Sequence, residues 1–145
     1  MIIGLVIVVM LAAITWGVMR SLSNLSETDK MVFGCWSGKE KNSVNQEGEI
    51  GWLFWSGGNY TIVEGGFNFP IVERGRYTTS ALENGAVALR LEPDTLGRNI
   101  EAYPQFGVAR TITVTAQKLN GIRTLQFDGR VRVVNTSCEP YTTLP

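Results

Sequence analysis

Two kinds of hydrophobic pattern divide the chain at about residue 20. From Met1 to Met19 apolar residues follow one another almost without relief: Ile2, Ile3, Leu5 and then Val6 through Ile14, with Gly4 and Gly17 as small interruptions and no charge before Arg20. Such a run has no polar face, so it predicts a helix surrounded by apolar material on all sides. Nineteen helical residues rise about 28 Å, close to the ~30 Å thickness of a bilayer's hydrocarbon layer. Lipid forces backbone N–H and C=O groups to pair internally, which makes a helix of this β-branched run despite its weak helix propensity in water. Trp16 and Arg20 then fall where an indole and a snorkelling cation favour the membrane interface.

Beyond Arg20 comes a short polar stretch, Ser21 to Lys30, read as a juxtamembrane linker or a last helical extension. Within it, Ser26 three residues before Asp29 resembles a helix N-cap. From Met31 the apolar positions alternate instead, with turn signals every eight to twelve residues, the signature of an all-β sandwich or barrel. The predicted strands are Met31 to Gly38, Glu49 to Trp55, Tyr60 to Glu64, Ile71 to Thr79, Ala86 to Glu92, Val108 to Gln117, Ile122 to Phe127 and Arg130 to Thr136. Asn84-Gly85, Asn120-Gly121 and Asp128-Gly129 mark hairpin turns, because both central positions of a type I′ turn need positive φ. The longest irregular connection is Pro93 to Gly107. Eight strands joined in sequence order suit an up-and-down meander, and closing it into a barrel removes the exposed edges. The expected fold is therefore mainly β: a transmembrane signal-anchor helix over 1–20, a linker over 21–30, an eight-stranded antiparallel barrel over 31–138 and a tail over 139–145.

A cleaved signal peptide is the competing reading of the N-terminus, since Ser21 and Ser23 are small residues in an A-x-A-like arrangement. The absence of Lys or Arg before the run, and a length beyond the ~7 to 15 residues of an ordinary h-region, favour an anchor. Orientation is pulled two ways. Arg20 and Lys30 slightly favour a cytoplasmic domain by the positive-inside rule. The two cysteines, Cys35 and Cys138, lie near opposite ends of the folded part and suggest a bridge made in an oxidising compartment, although free buried thiols would fit the sequence as well. The bridge is the reading carried forward. It places the domain outside the cytoplasm, on the periplasmic side of a bacterial inner membrane.

Composition removes several functions. Thirteen basic residues balance thirteen acidic ones, so no nucleic-acid footprint is expected. The chain has no His, which deprives it of the commonest general base and metal ligand, and two distant Cys cannot make a zinc site. No P-loop, G-x-G-x-x-G or G-x-S-x-G motif occurs. Glu47 and Glu49 can share a strand face, as can Glu73 with neighbouring Arg residues, but such pairs are nearly always surface charges, and nothing marks the cleft that a carboxylate dyad requires. No enzyme, cofactor or metal is expected.

The aromatic residues are more informative. Trp52 and Phe54 alternate with Leu53 and Trp55, so both faces of one strand are apolar and one of them must meet something besides a barrel interior. A membrane surface, a partner or a covering loop would serve, and these four residues are the contact candidates. Phe67 and Phe69, in an apolar loop able to dip toward lipid, are a second set.

Gly34-x-Trp36 on the first strand, eight sequential strands and an arginine-bearing last strand resemble the lipocalin-like, or calycin, β-barrels. Small bacterial lipocalin-like domains are similar in the middle of the chain, from the aromatic strand Trp52 to Trp55 through Gly75-Arg76-Tyr77 to Asn84-Gly85. The resemblance spans roughly Val32 to Asn135, although a T-D-Y-x-x-Y type stretch of that family is missing. It implies that Trp36 closes one end of the barrel beneath Arg130 or Arg132, in a cation–π contact worth roughly 0.5 to 2 kcal/mol. Two roles follow from the whole reading. One is a non-enzymatic, membrane-tethered protein-interaction module, such as an accessory subunit of a membrane complex or an envelope immunity or exclusion factor. The other is a carrier or sensor of a small hydrophobic ligand. The first needs a filled barrel and the second a roomy one.

Overall fold

A computed structural model describes residues 25–65 and 69–139. The apolar run 1–20, the linker as far as residue 24, Phe67 and the end of the tail lie outside the described residues. Among the described residues no helix is long and apolar enough to cross a membrane.

The chain begins with a six-residue helix, α1 (Glu27–Val32), followed by strands β1 (Gly34–Lys41), β2 (Glu47–Trp55), β3 (Asn59–Glu64), β4 (Ile71–Ala81), β5 (Val87–Leu96), β6 (Arg110–Leu119), β7 (Ile122–Phe127) and β8 (Val131–Thr136). Each strand pairs antiparallel with the next, and β8 returns to β1, so the sheet is a closed barrel. The expected eight-stranded antiparallel barrel is thus present, and its edges are removed by closure. All three predicted Asn-Gly and Asp-Gly pairs carry positive φ at both positions, from 51° at Asp128 to 80° at Gly121.

Two boundaries differ from the sequence reading. Residues 27–32 of the expected linker and first strand are helical, because Ser26 caps α1 by accepting the Asp29 N–H at 3.0 Å. A helix this short is not stable alone. Its exposed C-terminal carbonyls are taken up by the barrel instead: Trp36 Nε1 donates to Val32 O at 2.8 Å and Arg123 Nη2 to Met31 O at 2.7 Å. Thr79 Oγ1 donates to Asp29 Oδ1 at 2.6 Å on the other side. The second difference is β5, which runs through Pro93 to Leu96 because a register shift at Arg74/Gly75 absorbs the ring against β4.

Alternation sorts the side chains. Trp36, Ile50, Trp52, Phe54, Tyr60, Ile62, Tyr77, Leu89, Leu91, Val114, Leu125, Phe127 and Val133 face inward and belong to one buried cluster. Cys35, Leu53 and Val63 face outward yet are also buried, with Trp55, Phe69, Ile71 and Cys138 packed against them. The predicted bridge is formed: Cys35 and Cys138 are disulfide-bonded, with Cα atoms 5.4 Å apart. It staples the strand that opens the barrel to the segment that follows the strand closing it.

Close backbone approach fixes glycine at the mouth. A Cβ on Gly97 would lie 1.6 Å from Ile71 O, whereas one on Gly85 would meet nothing within 4 Å. Gly97→Ala is therefore expected to cost at least about 2 kcal/mol by overpacking, well above Gly85→Ala, whose cost is only the ~1 kcal/mol of its left-handed backbone. Urea unfolding midpoints of the two variants check the order.

Candidate functional site

The barrel has two ends of different construction. At the base lie α1 and the β2–β3, β4–β5 and β6–β7 turns. At the mouth lie the β1–β2, β3–β4 and β7–β8 turns and the long connection 97–109.

Trp36 closes the base. It is fully buried on β1, and the Arg123 guanidinium lies 5.4 Å from its ring centroid. Among the described side chains the arginine over Trp36 thus comes from β7. Arg123 shares inward parity with Leu125 and Phe127 and sits at the α1 end of its strand. Arg130, in the turn before β8, is at the opposite end of the barrel from α1. Arg132 pairs with Gln126 on β8, and its side chain lies outside the described residues.

The mouth is plugged by the 97–109 connection, which inserts Tyr103 and Phe106 into the core at 2% and 4% exposure. Polar contacts hold it there. Tyr103 Oη donates to Glu64 Oε1 at 2.9 Å, and Gln105 Nε2 donates to Lys41 O at 3.0 Å and to Glu40 Oε2 at 3.3 Å. The Gly107 N–H donates to Glu73 Oε2 at 2.5 Å.

Glu73 is the one fully buried charge among the described residues. Arg110 grips it with two bonds, Nη2 to Oε1 at 2.6 Å and Nη1 to Oε2 at 3.2 Å, and Tyr60 Oη adds a third donor at 2.9 Å. With Gly107 the carboxylate receives four donors, the saturation that a buried ion needs to offset its desolvation. The Arg110 guanidinium also lies 5.1 Å from the Phe106 centroid. One carboxylate therefore ties β3, β4, β6 and the plug together.

Between the plug and the β7–β8 turn opens a cleft of about 210 Å³, lined by Trp52, Phe106, Ile112, Phe127 and Val131 with Glu40, Arg110, Asp128 and Arg130 among its polar residues. Burial pushes the Glu40 carboxyl above its ordinary value, partly countered by the Gln105 hydrogen bond and the Arg110 charge. Trp52 packs edge to face with Phe106 and Phe127 at 5.4 and 4.8 Å, and its Nε1 is buried without a hydrogen-bond partner. Leaving such a donor unpaired costs about 1–3 kcal/mol.

The four aromatic-strand candidates divide by face. Trp52 and Phe54 belong to the barrel interior; Leu53 faces outward but is fully buried, and Trp55 is half-buried. The covering-loop alternative applies to that outer face, where Phe69 and Cys138 pack. Phe69 follows β3 and so belongs to the mouth side, away from α1. Among the described residues no three His, Cys, Asp or Glu side chains converge as a metal site requires. The chain matches no family model, no curated protein and no solved structure.

Sequence reading takes Glu73 for a surface charge, whereas it is fully buried, and it misses Arg110, Tyr103 and Phe106. Glu73 and Arg110 carried one signal, a charge at an inward position of an otherwise apolar alternation; the plug residues carried none, since a loop has no periodicity to read.

Three tyrosines report on this packing. Burial raises all three phenols: Tyr77 to about 12, with Asp29 adding to it, and Tyr103 to about 12, with the Glu64 hydrogen bond and charge adding. Tyr60 rises further, by burial and then by Glu73. Below the ordinary value of 10.0 folded and unfolded phenols are both protonated; above it only the unfolded chain releases protons, so stability falls as pH rises from about 10 to about 12. Phenolate absorbance is expected to show three of the four tyrosines ionising only as the barrel unfolds. Ionisation of all four near their ordinary value, with the near-ultraviolet dichroism intact, contradicts this.

Proposed function

We propose that the protein is a non-enzymatic, lipocalin-like contact module, tethered by residues 1–20 to the extracytoplasmic face of a membrane, where it binds a membrane-protein partner. The observation that carries this reading is the filled interior: Trp36, Trp52, Phe54, Tyr60, Tyr77 and Phe127, all 4% exposed or less, occupy the width that an eight-stranded barrel has available. Surfaces are then left to do the work. Among the described residues the mouth end offers the two most exposed large apolar side chains, Val44 and Val108 at 69% and 60%, with Leu96 at 52% beside them, and in a tethered chain that end points away from the bilayer. The disulfide supports an oxidising compartment.

A second reading, a carrier or sensor of a small ligand, is favoured by the mouth cleft and the unpaired Trp52 Nε1. About 210 Å³ falls short of the ~300 Å³ at which drug-sized pockets begin, so such a ligand would be small.

Affinity capture of the full chain from gently solubilised membranes, with Val108→Asp as comparison, separates the readings. Co-purification of a membrane protein, weakened at least about tenfold by Val108→Asp, is the expected result. Recovery of the chain alone with a small molecule bound, seen by native mass spectrometry, favours the carrier.

A further inference from the structure

We infer that the base of the barrel rests on lipid and inserts the tip of the β6–β7 hairpin into the bilayer interface. The inference builds on the tethered reading above and adds which residues touch the membrane.

Leu119 and Ile122 face each other across the Asn120-Gly121 turn and are 47% and 55% exposed. Val134, 37% exposed, lies beside them on β8, where it pairs with Thr124, the second residue after Ile122. Leu82, 44% exposed, sits in the β4–β5 loop at the same end. Scattered exposed apolar residues are ordinary, but a pair set at a hairpin tip with a third beside it makes a patch.

The occupant follows from where the chain enters. The helix α1, which the 26 preceding residues join, packs across this same end through Trp36, Thr79 and Arg123. Between Arg20 at the end of the apolar run and Leu25 there are five steps of chain, which reach at most ~18 Å fully extended. A barrel on so short a lead cannot hold its base far from the headgroups, while its mouth faces away. Charge then decides the mode of contact. Lys118 and Arg123 flank the tip and Lys30 and Arg76 lie at the same end, but Glu27, Asp29, Glu83 and Glu139 balance them there, so no cationic excess draws the base to anionic lipid. Contact is through apolar side chains and is indifferent to headgroup charge, unlike polybasic attachment.

The test uses the full chain, disulfide intact, reconstituted in phosphatidylcholine vesicles with doxyl-labelled lipid. Ile122→Cys, or Leu119→Cys if the first fails to fold, carries a fluorescent label; Val108→Cys at the mouth carries the same label for comparison. Quenching at 122 or 119 is expected to exceed that at 108 by at least about threefold, and phosphatidylserine in the vesicles is expected to leave the ratio unchanged. Flotation with the vesicles but equal quenching at both sites overturns the inference and leaves the tether standing. So does a tip label shielded from aqueous iodide yet unquenched by lipid, which would mean that protein covers it. A ratio that rises only with phosphatidylserine overturns apolar insertion. Failure of the full chain to float removes the tether, and the inference with it.

Discussion

The meeting of the first strand with the last is the contact on which the rest of this protein depends. An eight-stranded meander is edge-free only once that seam is sewn, and here the seam is short: Cys35 opposite Thr136, Trp36 opposite Asn135 and Ser37 opposite Val134. Every other neighbouring pair of strands shares at least four paired positions. The Cys35–Cys138 bridge lies just beyond the last pair of the seam and closes a loop with a sequence separation of 103, a constraint worth up to about 4.7 kcal/mol in the chain-entropy description. Three pairs and one covalent bond thus achieve what a longer ladder does elsewhere in the sheet.

The seam also organises the two ends. Trp36, in its middle, turns its ring inward and its N–H toward α1, so the residue that closes the base is held by the strand pairing that closes the sheet. At the mouth the same β1 ends in Glu40 and Lys41, which receive Gln105 and so help to seat the plug. Tyr103 and Phe106 then complete a core that strand side chains alone would leave open. Buried Glu73 adds direction to that packing: four donors from three residues, Tyr60, Gly107 and Arg110, must converge on one carboxylate, and a plug displaced by even one residue would leave that charge short of a donor.

Much of this architecture is legible in the sequence because it rests on local rules. Alternation around Trp52 and Leu53, the positive-φ demand of Asn120-Gly121 and Asp128-Gly129, and the placement of two cysteines near the ends of the folded part all act over short distances or along one strand. The arginine above Trp36 shows where such reading stops. Arg130 and Arg132 were expected there by resemblance, but the choice depends on which end of which strand reaches α1, and that depends on the position of a helix that only Ser26 announced. Arg123 has the right parity and the right end. Likewise, both faces of the Leu53 strand are apolar because the outer one is covered by Phe69 and Cys138, residues sixteen and eighty-five positions away; no pattern within the strand distinguishes a covered face from an offered one.

Amide hydrogen exchange of the Cys35→Ser/Cys138→Ser variant tests the dependence on the seam most directly. If the bridge and the three pairs sustain closure, amides of Trp36, Ser37 and Val134 lose protection first and by orders of magnitude, while those in the middle of β4 and β5 retain most of theirs. Uniform loss across all eight strands, or unchanged protection at the seam, would contradict the account.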